Sequence, residues 1–181
     1  MIEHYTNKIW QHLHQLNSPA VRCLNEGLTK EEVLAQCEQV NFPVCEEIIA
    51  LYQWKNGTNI IGSYNLGLYM RDADIFPHFH FNSLEKALEI WRSEFVPEVA
   101  TQYLNGIADP WQVTWLPIFS DDGDGHYVLD TEGKRIIHID ENWHTELKYN
   151  NLEEMLQHIV SKYENKRYLI DHANEGFLTE V

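Results

Sequence analysis

Trp115–Thr131 reads WLPIFSDDGDGHYVLDT, and the interpretation of this stretch decides the fold. Trp115–Phe119 and His126–Leu129 are aromatic and β-branched, the composition that strands favour. Between them Ser120, Asp121, Asp122, Gly123, Asp124 and Gly125 are rich in the residue types that tolerate positive φ and close turns. The stretch therefore reads as a β-hairpin with a longer loop. Asp130-Thr131-Glu132-Gly133 forms a second turn and Arg135–Ile139 (RIIHI) a third strand. This meander, around residues 111–139, is the densest apolar material without a helical pattern, so the other elements are expected to pack around it.

Upstream, Ile2, Tyr5, Ile9, Leu13 and Leu16 recur at helical spacing and predict an amphipathic helix that Asn17-Ser18-Pro19 stops. His12 and His14 read as surface residues of that helix. Thr29 and Glu32 form a capping box for a second helix, with Leu28 placed to staple against Val33. Val33, Leu34, Cys37 and Val40 are its inner face. Pro43 suits the first turn of a third helix, striped by Val44, Ile48, Leu51 and Tyr52 and stopped in left-handed conformation at Asn56-Gly57. Trp54 in its last turn reads as a core anchor.

Gly62 and Gly67 punctuate Thr58–Phe81, where Leu66–Met70 suggests a short strand. His78-Phe79-His80-Phe81 alternates, predicting a strand with both histidines on one face. Asn82 and Glu85 are expected to cap a fourth helix bearing Leu84, Ala87, Leu88, Trp91 and Phe95. Val96-Pro97 breaks or restarts it, with Val99, Tyr103 and Leu104 in a continuation ending at Gly106, and Asp109-Pro110 turns the chain into the meander. Beyond the meander, Asp140–Tyr149 reads as a polar connection containing Trp143. Asn150 and Glu153 are expected to cap a last helix striped by Leu152, Met155, Leu156, Ile159, Val160 and Tyr163. Asn174 and Gly176 mark a peripheral tail. Helices before and after a run of adjacent strands predict an α+β fold, a single domain over residues 1–181 with helices packed on a mainly antiparallel sheet.

Composition narrows the function classes. A hydrophobic fraction of 44% and six tryptophans argue against disorder. No apolar run approaches the roughly 18 residues of a membrane-spanning helix, and the N-terminal segment lacks the pattern of a signal peptide. Cys23, Cys37 and Cys45 form no CxxC and are expected to be reduced thiols of a cytoplasmic protein. The net charge of −15 disfavours nucleic acid and anionic membrane as direct partners. From Ser120 to Glu154 ten acidic residues face three basic ones, a net of −7 in 35 residues. Such a concentration suits either a solubilising face or a surface that attracts a basic protein.

Three segments, in this order and spacing, resemble the SUKH superfamily, which holds fungal cell-wall regulators of the Smi–Knr type and many bacterial immunity proteins. Leu51-Tyr52-Gln53-Trp54-Lys55-Asn56-Gly57 matches its helix ending in tryptophan and Asn-Gly. Phe81-Asn82-Ser83-Leu84-Glu85-Lys86-Ala87 matches its Ser-Leu-Glu helix start. Leu116-Pro117, Asp121–Gly125 and Tyr127–Asp130 match its Leu-Pro step, Asp/Gly-rich turn and aromatic strand ending in Leu-Asp. The resemblance covers about residues 43–131. It implies a non-enzymatic protein-binding domain. Many bacterial members neutralise a toxin, often a nuclease; others act as intracellular regulatory scaffolds.

The residues themselves suggest little catalysis. An EF-hand frame over the acidic turn would put Ser120 first and Thr131 twelfth, both wrong ligands, between strands rather than helices. HExxH, GxSxG, the P-loop and GxGxxG are all absent. Asp124 and His126 form a possible carboxylate–imidazole pair, but no motif ties a nucleophile to them. His78 and His80 lack a third metal ligand at diagnostic spacing. A small hydrolase built on Asp121, Asp122, Asp124 and His126 is the remote alternative. No catalytic, cofactor or metal residue is therefore assigned. The expected contact surface for a basic toxin domain is Asp121, Asp122, Asp124, Asp140 and Glu141, with Trp143 as an aromatic anchor.

Overall fold

The structure, a computed structural model, describes residues 1–59, 73–94, 112–121, 125–171 and 177–181. In chain order its elements are α1 (Ile2–Gln15), α2 (Ala20–Cys23), β1 (Leu24–Glu26), α3 (Lys30–Gln39), α4 (Glu46–Trp54), β2 (Lys55–Thr58), β3 (His80–Phe81), α5 (Leu84–Glu94), β4 (Trp115–Ser120), β5 (His126–Asp130), β6 (Ile136–Ile139), β7 (Thr145–Tyr149), α6 (Leu152–Glu164), β8 (Tyr168–Asp171) and β9 (Phe177–Glu180). The architecture is α+β. The meander is the middle of a five-stranded antiparallel sheet ordered β3-β4-β5-β6-β7, accompanied by the two-stranded pairs β1-β2 and β8-β9.

The sheet and the helices share one apolar core. Leu116, Ile118, Phe119, Val128, Leu129, Ile136 and Ile139 from the sheet cluster with Ile9, Leu13, Ile48, Leu51, Leu84, Ala87, Leu156 and Ile159 from the helices. Each such side chain removed from water contributes about 1.5–3 kcal/mol, so this joint burial is the main favourable term. α1 lies against α4 and α6, α3 joins α4 to α5, and α5 covers β4.

The capping box of α3 forms as read: Glu32 N donates to Thr29 Oγ1 at 3.2 Å and Thr29 N to Glu32 Oε2 at 2.7 Å. Val33 and Cys37 are buried, but Leu34 is 40% exposed, one position off the inner stripe. His12 is half-buried and stacks on Tyr163 of α6 at 5.2 Å, so it is more than a surface residue.

Several local expectations give way to tertiary contacts. The third helix begins at Glu46 rather than at Pro43, because buried Phe42 packs edge-on against Trp91 at 5.1 Å and pins the preceding segment. It ends at Trp54, where Lys55 turns extended and enters β2, since β1 is there to pair with it. Gly57 has the left-handed φ of +69° but lies within that strand. A Cβ there would stand 2.1 Å from Ser83 N, so close backbone approach demands glycine.

Asn82 does not cap α5. Its amide donates to Pro117 O and Ser120 Oγ, both at 2.8 Å, while Ser83 Oγ accepts from Lys86 N at 3.2 Å and takes the cap. At α6 the cap slips by one residue: Asn151 Oδ1 accepts from Glu154 N at 2.8 Å, and Glu154 reaches back to Asn150 N.

β3 holds only His80 and Phe81. His78 sits before it with φ 71°, exposed, whereas His80 is buried, so the two histidines do not share a face. The presumed polar connection after Ile139 contains β7, which pairs along β6 from Ile139↔Thr145 to Ile136↔Tyr149. Its side chains are mostly polar and exposed, though Leu147 is exposed too, and a register shift beside Lys148 guards this edge strand. The tail is a hairpin whose Tyr168 and Leu178 join the core rather than a peripheral extension. Leu66–Met70, Phe95–Gly106, Asp109-Pro110, Asn174 and Gly176 lie outside the described residues. No helix among the described residues is long and apolar enough to cross a membrane.

Candidate functional site

Register brings the two acidic loops to one end of the sheet. His126 opens β5 opposite Ser120, the last residue of β4, and also opposite Ile139, the last residue of β6. The loop after Ser120 and the loop after Ile139 therefore leave the sheet side by side. Asp121 and Gly125 close the first: Asp121 N donates to Gly125 O at 3.1 Å, and Gly125 N to Asp121 Oδ1 at 3.0 Å. A Cβ on Gly125 would meet Asp121 Oδ2 at 2.4 Å, so the carboxylate lies directly over the glycine. Asp122 and Asp124 lie outside the described residues.

The second loop is built on Asp140. Its Oδ1 accepts from Asn142 N and His144 N, both at 2.9 Å, and its Oδ2 lies 3.2 Å from His144 Nδ1. These bonds, the His144 amide foremost, hold the Asp140 carboxyl below the usual carboxylate range, so it is ionised whenever the protein is near neutral pH. The turn forces Trp143 to φ 67° and leaves its side chain 40% exposed, with Glu141 and Asn142 exposed beside it. Trp143 is therefore not a core residue. Between the loops lies His138. Burial and Lys148 press its pKa down, opposed by the carboxylates of Asp140 and Asp121, which both sit close enough to act on it.

The sequence missed one polar arrangement. Ser120 Oγ lies 2.8 Å from His126 Nδ1 and accepts the Asn82 amide at 2.8 Å. The amide leaves the hydroxyl hydrogen for the imidazole, the polarity of a base drawing a serine proton. Both side chains are only 5% exposed, however, on neighbouring strands of the sheet. They brace β3, β4 and β5 together, and their coupling was hidden because six residues and a loop separate them. Cys37 and Cys45 are free thiols pushed up to about 11, chiefly by burial, and so are poor nucleophiles near neutrality. Among the described residues no group of three or more His, Cys, Asp or Glu could hold a metal ion.

The site thus offers carboxylates and an exposed indole on turns closed by their own hydrogen bonds. No curated protein matches the chain. The sequence profile of the SMI1 / KNR4 family (SUKH-1) matches residues 27–158, reaching from the loop ahead of α3 into α6 and so beyond the three segments that carry the resemblance. With 132 of 181 residues inside that match, across α3, α4, α5, the meander, both acidic loops and the start of α6, the chain belongs to the SMI1 / KNR4 family (SUKH-1).

Proposed function

We propose that this protein is a non-enzymatic cytoplasmic immunity protein that neutralises a basic, nuclease-type toxin domain by direct binding. The observation that carries the reading is the pairing of two acidic loops at one end of the sheet, with Trp143 exposed in the loop of Asp140 and Glu141. Family membership is consistent with it, since the family's reach includes both immunity proteins and regulators of the Smi–Knr type. Asp121, Asp140 and Glu141, with Asp122 and Asp124 in the same loop segment, would steer a cationic partner and hasten encounter. Trp143 would supply the desolvated contact that holds it.

The test is capture of partners from cells by the full chain and by a variant carrying Asp121→Asn, Asp140→Asn, Glu141→Gln and Trp143→Ala. The expected result is a basic nuclease domain retained by the native chain, with Trp143→Ala costing about 2 kcal/mol or more of affinity. Recovery of endogenous regulatory proteins instead, with no toxin, would favour an intracellular scaffold. Equal retention of a toxin by a well-folded variant would move the interface elsewhere.

A further inference from the structure

Away from the acidic loops, a cavity of about 590 Å³ opens where β5, β7, α6, the β8–β9 hairpin and the segment before β3 meet. One wall is aromatic. Phe76 and Phe79 stack at 5.2 Å, and Tyr127 stands edge-on to them at 5.7 and 4.7 Å. Tyr149 and Tyr168 continue the lining, the latter only 5% exposed. Ring faces and edges at these spacings favour a flat aromatic guest over an aliphatic one.

The polar lining holds three phenols, a lysine, a threonine and two histidines against a single carboxylate. Tyr163 just outside it spends its hydroxyl on Ile75 O at 2.7 Å. Among the described residues no such bond is made by the hydroxyls of Tyr127, Tyr149 and Tyr168, which open onto the cavity rather than being sealed from solvent. Burial pushes Tyr127 up to about 12, and raises Tyr149 and Tyr168 as well. All three hydroxyls therefore remain proton donors near neutrality. Tyr127, Tyr149 and Tyr168 line one space, and the Glu180 carboxylate acts on Tyr168 as well. Lys148 lines the same space and pairs with Glu146 at 2.6 Å, and its ammonium carries three N–H donors, more than that pair uses. The carboxylate of the lining, Glu180, is already engaged by Lys162.

Phenol hydroxyls that line a cavity and reach solvent can donate to an acceptor carried by a guest. The volume lies in the roughly 300–1,000 Å³ range of small-molecule sites. We propose that this cavity binds a planar aromatic small molecule carrying carboxylate or carbonyl acceptors, the ring held by Phe76, Phe79 and Tyr127 and the acceptors by the tyrosine hydroxyls and Lys148. The site shares none of the residues of the acidic loops, so it stands or falls independently of toxin binding.

The experiment is titration of the full chain with 2-naphthoate, followed by calorimetry and by NMR of the tyrosine rings. Two comparison probes are 2-naphthylmethylammonium, which is flat but cationic, and cyclohexanecarboxylate, which is acidic but not aromatic. The expected result is saturable 1:1 binding of 2-naphthoate, with each comparison probe at least about tenfold weaker. The combined variant Tyr127→Phe, Tyr149→Phe, Tyr168→Phe should lose about tenfold or more, at roughly two- to tenfold per hydroxyl. Lys148→Gln, on the exposed edge strand and safe for folding, should weaken naphthoate but not its uncharged methyl ketone. Absence of saturable binding, equal binding of all three probes, or affinity unchanged in Lys148→Gln would overturn the proposal.

Discussion

The turn from β5 into β6 and the turn from β6 into β7 both begin with an aspartate whose carboxylate accepts amides of its own turn, yet the two sit in opposite surroundings. Asp130 is 4% exposed. Its Oδ1 accepts from Glu132 N and from Thr114 Oγ1, sixteen residues away, and its Oδ2 accepts from Arg135 Nη2 at 2.9 Å. Thr131 adds two bonds to Thr114 O, so this turn ties the entry of β4 to the far end of the meander. Among the described residues the Asp140 carboxylate bonds to Asn142 and His144 of its own loop, at the solvent. The same local chemistry therefore serves tertiary linkage in one turn and presentation of charge in the other. What separates them is that the Asp130 carboxylate also meets Thr114 from a distant segment, whereas that of Asp140 meets groups of its own loop.

Breaking the buried turn should have the largest effect. In Asp130→Asn the new amide faces the Arg135 guanidinium, and a charge-assisted bond is replaced by donors without an acceptor. Because Arg135 is half-exposed, the expected loss is about 1.5–2 kcal/mol rather than the full cost of a buried pair. Urea unfolding at neutral pH reads it as a lower midpoint with unchanged slope. A midpoint within error of the native protein would show that the linkage to Thr114 and Arg135 carries no net stability.

Acid should sharpen the contrast. Burial alone would raise the Asp130 carboxyl, but Arg135, the Gly133 and Glu132 amides and Thr114 together hold it below its ordinary value. The folded state thus releases this proton more readily than the unfolded chain. Its contribution is present above the unfolded carboxylate pKa, near 3.9, and is lost as pH falls from there through the lower folded value. Removing Asp130 should flatten the stability–pH curve below about pH 4 more than removing Asp140 does. Equal flattening by the two substitutions would erase the distinction between the turns.

The smallest effect lies at the exposed turn. Asp140→Asn keeps an acceptor for Asn142 N and His144 N, so the melting temperature should stay unchanged within measurement. The same substitution removes a carboxylate that supports protonation of His138, as does Asp121→Asn. Each should lower the His138 pKa further in an NMR titration, and the double variant should lower it most. If Asp121→Asn leaves His138 unmoved, the two acidic loops do not share one end of the sheet as their register requires.

The amino-acid sequence by itself determined the elements whose signals are local. The stripe of α6, the capping box of α3 and the hairpin spanning Trp115–Asp130 depend on residues within a turn or two of each other, where periodicity, cap chemistry and turn chemistry act directly. The acidic turn Asp121–Gly125 was legible for the same reason, since Asp and Gly concentrate there, and so was the family that this order of segments implies. Tertiary structure alone decided where a short polar run becomes a strand: β7 exists because β6 offers it an edge, and β2 because β1 does. It turned Asn82 from a cap into a bridge to Pro117 and Ser120, parted His78 from His80, and set Trp143 on the surface while Tyr168 went inside. It also gathered Phe76, Tyr127, Tyr149 and Tyr168 around one cavity from four separate parts of the chain. Nothing in the spacing of those residues announces the cavity, because hydrogen bonding and burial join partners by distance in space, whereas a sequence records only distance along the chain.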